Sequence, residues 1–317
     1  MALKTRELGK SGIALPPVVL GGNVFGWTAD IVTSLQLLDA GLAGGLHAID
    51  TADAYSRWAE GHVGGESEAI IGAWMKERRN RAKLLILTKT GMDLGNGKTG
   101  LARKRIFEAV DASLIRLQTD YIDLYQAHRD DPDVPMEETL SAFADLIKAG
   151  KIRAAGASNF TAPRLKQALD VARANGLPRY ESLQPLYNLM ERPAFEDELR
   201  DLCLAENVGV INFYALAAGF LTGKYKTEAD CVGYRGETAK KYLATEKGKK
   251  VIAALTAQAE RLGAAPSEVA IAWCNRKPGI TAPIASATSL KQMQSLIRAA
   301  ALHLDDEAMA ALDVASA

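Results

Sequence analysis

The feature that most restricts this chain is a repeated alternation between two kinds of segment. Short, continuously apolar runs read as strands buried on both faces: Val18-Val19-Leu20, Leu84-Leu85-Ile86-Leu87, Ile122-Asp123-Leu124-Tyr125 and Val208-Gly209-Val210-Ile211. Between them lie longer stretches with helical spacing. One carries Ile106, Val110, Leu114 and Leu117. A second carries Leu140, Phe143 and Ile147 and stops at Ala149-Gly150. A third starts at Thr161 with Pro163 in its first turn, and runs through Leu165, Leu169 and Ala172 to Asn175-Gly176. Parallel strands need crossovers, so the alternation implies a parallel sheet. About eight units start near Val18, His47, Leu84, Ile122, Ile152, Ser182, Val208 and Ile280. Eight strand–helix units close into a barrel, so the expected fold is α/β, a (β/α)8 TIM barrel, as one domain over residues 1–317.

Two segments break the pattern. Thr5–Ile13 reads as two short polar-alternating pieces around a Gly/Ser turn, a hairpin capping the barrel floor. The gap before the last strand is about twice the others. It holds a charged stretch, Lys224–Gly248, then helical segments around Val251–Leu262 and Ser267–Asn275. An insertion at that rim is a lid or a solvated loop, and the lid is the preferred reading.

Composition narrows the partners. Lys plus Arg number 38 against 38 Asp plus Glu, so no net field gathers polyanions and nucleic acid is not expected. No apolar run reaches the roughly 18 residues of a membrane span, and the N-terminus lacks a signal-peptide core. Three scattered cysteines, Cys203, Cys231 and Cys274, make no disulfide framework and point to a reducing cytoplasm. No paired-ligand spacing supports a metal site. The sequence leaves the oligomeric state open.

Reactive residues of a barrel sit where strands end and loops begin. Asp50, Lys89 and His128 each follow an apolar run directly and are expected in one mouth. A buried Lys needs a partner, and Asp50 is the obvious one. A tyrosine beside that ammonium has its phenolate favoured, which lowers its pKa toward neutrality. Such a phenol gives a proton to an oxyanion, and a neutral His orients the same oxygen. This is equipment for protonating a carbonyl oxygen while its carbon is attacked.

At this point the sequence resembles an aldo-keto reductase. The motifs are Leu-His-Ala-Ile-Asp-Thr-Ala-Asp-Ala-Tyr-Ser (46–56), Leu-Thr-Lys-Thr (87–90), Tyr-Ile-Asp-Leu-Tyr-Gln-Ala-His (121–128), Gly-Ala-Ser-Asn-Phe (156–160), Gln-Pro-Leu-Tyr-Asn-Leu (184–189) and Ala-Gly-Phe-Leu-Thr-Gly-Lys-Tyr (218–225), in the family's order. The resemblance implies a barrel that binds NADP(H) and moves a hydride to or from an aldehyde, ketone or sugar. Its four catalytic positions fall on Asp50, Tyr55, Lys89 and His128. Tyr55 would be the general acid or base, Lys89 held by Asp50 would lower its pKa, and His128 would place the carbonyl.

The resemblance also implies coenzyme contacts. Ser158, Asn159 and Gln184 match residues that bind the nicotinamide carboxamide, with Asp50 beside them. Gly22-Asn23-Val24 lies near the nicotinamide ribose, with Asn23 where the family often has Thr. The ring-stacking position falls on Phe213, preferred over Tyr214. Backbone from Ala215 through Leu216 and Gly219 to Leu221, with Lys224, would cradle the pyrophosphate. Ile284, Ala285, Ser286, Thr288 and Gln292 would hold the adenosine phosphate. Thr288 and Leu296 stand where relatives usually carry Arg and Asn, and losing an Arg removes a phosphate clamp that Lys291 would have to replace. NADP(H) is therefore the first expectation and NAD(H) the second.

Trp27 and Trp58 on the first two rim loops are expected to line a substrate pocket, with Phe25 nearby. Trp74, Trp273, Cys203 and Cys274 read as core, Cys231 as exposed, and His47, His62 and His303 as ordinary. Gly95–Gly100 matches GxGxxG on paper, but it is detached from the strand end and reads as a plain loop. The alternative function is an NADPH-binding regulatory or redox-sensing subunit with little turnover. An isomerase or hydrolase lacks a paired carboxylate base, metal ligands or a GxSxG elbow.

Overall fold

The computed structural model describes residues 3–95 and 97–317. The eight parallel strands are β3 (Val19–Gly21), β4 (Ala48–Asp50), β5 (Leu85–Thr90), β6 (Ile122–Ala127), β7 (Ile152–Ser158), β8 (Ser182–Gln184), β9 (Gly209–Val210) and β10 (Ile284–Ala285). They pair in the order β10-β3-β4-β5-β6-β7-β8-β9. The two ends of the sheet meet: the Ile284 N–H donates to Asn212 O at 2.8 Å and the Thr281 N–H to Val210 O at 2.7 Å. The sheet thus curls into the (β/α)8 barrel that the alternation implied.

The last strand begins at Ile284, four residues later than the Ile280 expectation. Ile280 itself makes only an isolated bridge to Val210. Pro283 explains the delay, because it has no N–H to give to a ladder.

Helices α1 (Ile31–Ala43), α2 (Glu66–Arg78), α3 (Arg103–Leu117), α4 (Met136–Lys148), α5 (Ala162–Asn175) and α6 (Glu198–Glu206) each follow one strand, from β3 to β8. Their apolar stripes face the sheet: Ile106, Val110 and Leu117 of α3 and Leu140 and Phe143 of α4 are fully buried. After β9 come α7 (Gly233–Leu243), α8 (Glu246–Leu262) and α9 (Pro266–Arg276), and after β10 α10 (Leu290–Ala301) and α11 (Asp306–Ala315). Within the charged 224–248 stretch, Gly233–Leu243 forms α7, while residues 226–230 lie exposed before it. Gly236 lets α7 close on Cys231, where a Cβ would lie 2.4 Å from the Cys231 carbonyl carbon. That closure buries Cys231, which was expected to be exposed.

The hairpin β1 (Arg6–Glu7) and β2 (Ala14–Leu15) is antiparallel, with Arg6 opposite Leu15. Leu8, Ile13 and Leu15 pack into one cluster with Val19, Ala48, Leu87, Leu124, Ala154 and Ile211. These are the inward side chains of the lower barrel, so the hairpin plugs the floor and leaves the opposite mouth for chemistry. Trp74 and Trp273 are fully buried, as expected. No described helix is long and apolar enough to cross a membrane.

Candidate active site

Above the apolar layer, the next inward residues are polar. Strand alternation puts Lys89 two residues beyond Leu87 on the same face, and Asp50 two beyond Ala48. Lys89 is fully buried. Its ammonium gives its three protons to Asp50 Oδ2 at 2.8 Å, Tyr55 Oη at 2.8 Å and Thr51 O at 2.7 Å. Asp50 is saturated in turn: Oδ2 also accepts from the Tyr55 hydroxyl at 3.3 Å, and Oδ1 accepts from Gln184 Nε2 at 2.9 Å. A buried pair with such complete partners avoids the penalty of an uncompensated charge. The His128 ring lies edge-on to the Tyr55 ring, 5.9 Å between centroids.

The pKa directions differ from expectation at one point. Burial, then the Asp50 charge and its hydrogen bond, push the Tyr55 phenol well above its ordinary value. Adding Lys89 next to the hydroxyl does not outweigh Asp50 on its other side. Tyr55 therefore holds its proton, which is the form that donates. Burial lowers the Lys89 pKa, and Asp50 is what sustains its charge. Burial, then the Lys89 and Arg129 charges, push His128 well below its usual range, so the ring is neutral at pH 7.

A second buried network, unread in the sequence, lies on the other face of β5. Thr88 donates to Glu68 Oε1 at 2.6 Å, and Arg116 grips Glu68 at 2.6 Å. Thr90 donates to Asp53 Oδ2 at 2.8 Å, and Arg105 pairs with it at 3.2 Å. Burial, then the Glu68 charge, raises the Asp53 carboxyl to about 6. Asp53 lies between Asp50 and Tyr55, and its N–H donates to Lys89 O at 3.1 Å. This network ties the Tyr55 loop to the strand that carries Lys89.

Beside the cluster, the ends of β7 and β8 add further polar groups. The Ser158 hydroxyl donates to Gln184 O at 3.0 Å, and Asn159 Nδ2 donates to His128 O at 2.9 Å. Gln184 uses its amide N–H on Asp50, which leaves its Oε1 as the atom able to accept from a carboxamide. Gln126 Nε2 and His128 Nδ1 are buried with no partner among the described residues. Gln126 belongs to this polar layer, and the sequence reading gave it no role. Phe213 packs against the inward-facing cluster and pairs with Leu186, whereas Tyr214 takes φ 66°.

Beyond it the backbone turns left-handed repeatedly: Ala217 at φ 47°, Ala218 at 56° and Gly219 at 89°. Such conformations cost alanine energy and form N–H concavities that suit anions. The exposed Lys224 lies over Gly219, 3.6 Å from where a Cβ would stand. Ser286 donates to Asn23 Oδ1 at 2.5 Å, joining the loops after β10 and β3. The Val24 side chain is in the core, and the Gly22 N–H donates to Asp50 O at 2.7 Å. Gln292 Oε1 accepts from the Thr288 N–H at 2.8 Å, and Leu296 is buried in the packing of α10. The unpartnered buried amide and imidazole atoms, the left-handed run and Lys224 fit a nicotinamide dinucleotide.

On the other side of Tyr55 stands an aromatic wall. Trp58 lies 5.8 Å from the Tyr55 ring and Trp27 lies 5.6 Å from Trp58. Phe25 is fully buried and belongs to the core instead. Arg235 of α7 reaches over Trp27, 5.7 Å from its ring centre, so the inserted helix comes to the mouth. His47 and His62 bond backbone carbonyls of Gly45 and Ser56, and neither joins the cluster.

Comparison with known proteins agrees with this geometry. The sequence model described as "Aldo/keto reductase family" matches residues 17–317. The chain is similar to Protein tas of Escherichia coli (strain K12), 31% identical over 96% of this chain and 94% of that protein. It is similar to Aldo-keto reductase AFTS1 of Alternaria alternata, 32% identical over 95% and 88%. It is also similar to a putative voltage-gated potassium channel subunit beta of Schizosaccharomyces pombe, 32% identical over 93% and 87%. With the barrel, the buried Asp–Lys–Tyr cluster and these matches together, the chain belongs to the aldo/keto reductase family.

Proposed function

We propose that this protein interconverts carbonyl compounds and alcohols with a nicotinamide coenzyme, NADP(H) first and NAD(H) second. The observation that carries the reading is Lys89, buried and bonded at once to Asp50 and to the Tyr55 hydroxyl, both at 2.8 Å. A bound coenzyme supplies hydride to the carbonyl carbon. Tyr55 gives its phenolic proton to the carbonyl oxygen as negative charge develops there. Lys89 stays an ammonium and stabilises the phenolate left behind, because Asp50 neutralises it in the ground state. Neutral His128 offers its one N–H to the same oxygen and fixes its direction. Ser158, Asn159 and Gln184 hold the carboxamide, Phe213 covers the ring, residues 215–221 with Lys224 take the pyrophosphate, and residues 284–288 with Gln292 the adenosine end.

The raised Tyr55 pKa favours reduction over oxidation near neutral pH, because the base form is scarce. The test is fluorescence titration with NADPH and NADH, followed by coenzyme absorbance with aldehydes, ketones and sugars. Saturable binding and turnover support the reading; no binding of either coenzyme overturns it. One relative is named as a putative channel subunit, which favours a second, regulatory reading. That reading requires tight coenzyme binding with negligible turnover of every carbonyl tried.

A further inference from the structure

A glutamine amide has a donor end and an acceptor end of nearly the same shape, so its neighbours decide which end faces a ligand. For Gln184 two acceptors on different strands decide it. Asp50 Oδ1 takes from Gln184 Nε2 at 2.9 Å, and Gln126 Oε1 takes from the same nitrogen at 3.4 Å. Gln184 Oε1 accepts from none of the described residues, so the oxygen is the end left for a coenzyme. A single N–H···O contact lets an amide swing about that contact. A second one, from another direction, fixes the amide plane.

The second contact depends on a bare position in the barrel wall. Gln126 is fully buried on β6, two residues beyond Leu124 of the inward cluster. It stands opposite Gly156 of β7, which stands opposite Ser182 of β8, two residues before Gln184. A Cβ on Gly156 would lie 3.0 Å from Gln126 Cγ and 2.2 Å from Ser182 Oγ. Its absence lets the Gln126 side chain lie across β7 and meet a residue of β8.

This arrangement has a cost. Gln126 Nε2 is buried with no partner among the described residues, and buried polar groups are seldom left so. Turning the Gln126 amide over would set its nitrogen against Gln184 Nε2, donor against donor. Turning Gln184 over as well would set its oxygen against the Asp50 carboxylate. The Asp50 charge therefore orients Gln184, and Gln184 orients Gln126. A leucine at position 126 would fill similar space with no stranded N–H, so packing does not account for the amide; its oxygen does.

We propose that Gln126 is a positioning residue, which holds the Gln184 amide so that its oxygen receives the N–H of the nicotinamide carboxamide. It acts through Gln184 and not on the reacting atoms. Through Asp50, the same chain of contacts joins the Lys89–Tyr55 proton site to the residue that reads the coenzyme ring. The chain accordingly selects coenzymes whose pyridine ring bears an amide. This inference rests on the reductase reading and deepens it.

The test is equilibrium binding, followed by protein fluorescence without turnover. The probes are whichever of NADPH and NADH binds more tightly and its reduced 3-acetylpyridine analogue, in which a methyl group replaces the amide nitrogen and its hydrogens. The wild type should bind the natural coenzyme roughly tenfold more tightly than the analogue, as one well-made hydrogen bond gives. Gln126→Leu should weaken the natural coenzyme by about fivefold and the analogue by less than about twofold, so that the ratio falls to about two. Gln126→Glu keeps an oxygen toward Gln184 in either orientation and should restore most of the ratio. A merely structural role would lower the melting temperature or weaken both coenzymes alike, and would leave the ratio where it was. The inference is overturned by a wild-type ratio near one, by an unchanged ratio in Gln126→Leu, or by a ratio that Gln126→Glu does not restore. Binding and turnover of the natural coenzyme with any of those results overturns this inference alone. If neither natural coenzyme binds the wild type, the reductase reading has failed and this inference falls with it.

Discussion

Strand β5 presents two buried ionic clusters, one on each face. Leu87 and Lys89 point into the barrel; Thr88 and Thr90 point out beneath α2 and α3. Inside, Lys89 meets Asp50 and Tyr55. Outside, Glu68 and Asp53 meet Arg116 and Arg105. Both are costly to bury and both set carboxylates against cations, although Asp53 Oδ1 and Arg105 Nε of the outer cluster are buried without a hydrogen-bond partner among the described residues, so burial of charge alone does not mark a reactive site. The difference is in what completes each cluster. The inner one ends in a phenol beside a neutral imidazole at an open mouth. The outer one ends in guanidiniums, which do not exchange protons, under packed helices. The inner face is therefore equipped to move a proton, and the outer face to hold the inner one in register.

This contrast is open to measurement, and the largest effect should fall on the outer face. Glu68→Ala strands Arg116 and the Thr88 hydroxyl and should cost about 3–5 kcal/mol of stability. Thermal melting should show a clear fall, while kcat/KM per folded molecule stays within a few-fold. Lost turnover with an unchanged melt would erase the distinction between the faces.

Asp53 gives a pH signature. Its carboxyl, at about 6, lies above the ordinary value of 3.8, so the folded chain keeps that proton longer than the unfolded chain. The contribution is complete below about pH 4 and is lost as pH rises through 6, a swing of up to about 3 kcal/mol. Asp53→Asn should flatten that part of the stability–pH curve. An unaltered curve would mean that Asp53 is ionised at its ordinary pKa.

On the inner face, Tyr55→Phe should keep coenzyme binding and lose at least about 100-fold in turnover, the size of a general-acid contribution. Wild-type rates in that variant would remove the phenol from the chemistry. Because the phenol is held protonated, the oxidation rate should climb with alkaline pH while reduction changes little near neutrality. A flat oxidation profile would show that the base form is already present. The smallest effect should lie away from β5: Thr288→Arg should move the NADPH:NADH preference by roughly tenfold, one added phosphate contact. No change in that ratio would place 2′-phosphate recognition elsewhere.

Much of this was legible in advance, for a physical reason. Parallel strands buried on both faces leave continuous apolar runs, so strands β3 to β9 start within one or two residues of their expected positions. Asp50, Lys89 and His128 were legible because polar residues ending such runs have only the barrel mouth to occupy. Helix α7 was not, because Gly233, Gly236 and its lysines show a weak apolar stripe, and its packing depends on the segments beneath it. The outer network was missed although Thr88 and Thr90, in a run otherwise apolar, were its signal. Its partners Glu68, Arg105 and Arg116 are distant in sequence, and spacing says nothing of who meets whom.

By itself, then, the order of residues determined the strand–helix alternation, the barrel, and the positions that bring polar groups to its mouth, since each follows from local periodicity and burial. Tertiary structure alone decided the charge states and contacts: the protonated Tyr55, the elevated Asp53, the orientation of Gln184 toward Asp50 and the reach of Arg235 to Trp27. Those depend on desolvation and on distances between segments far apart in the chain, which only closure of the barrel brings together.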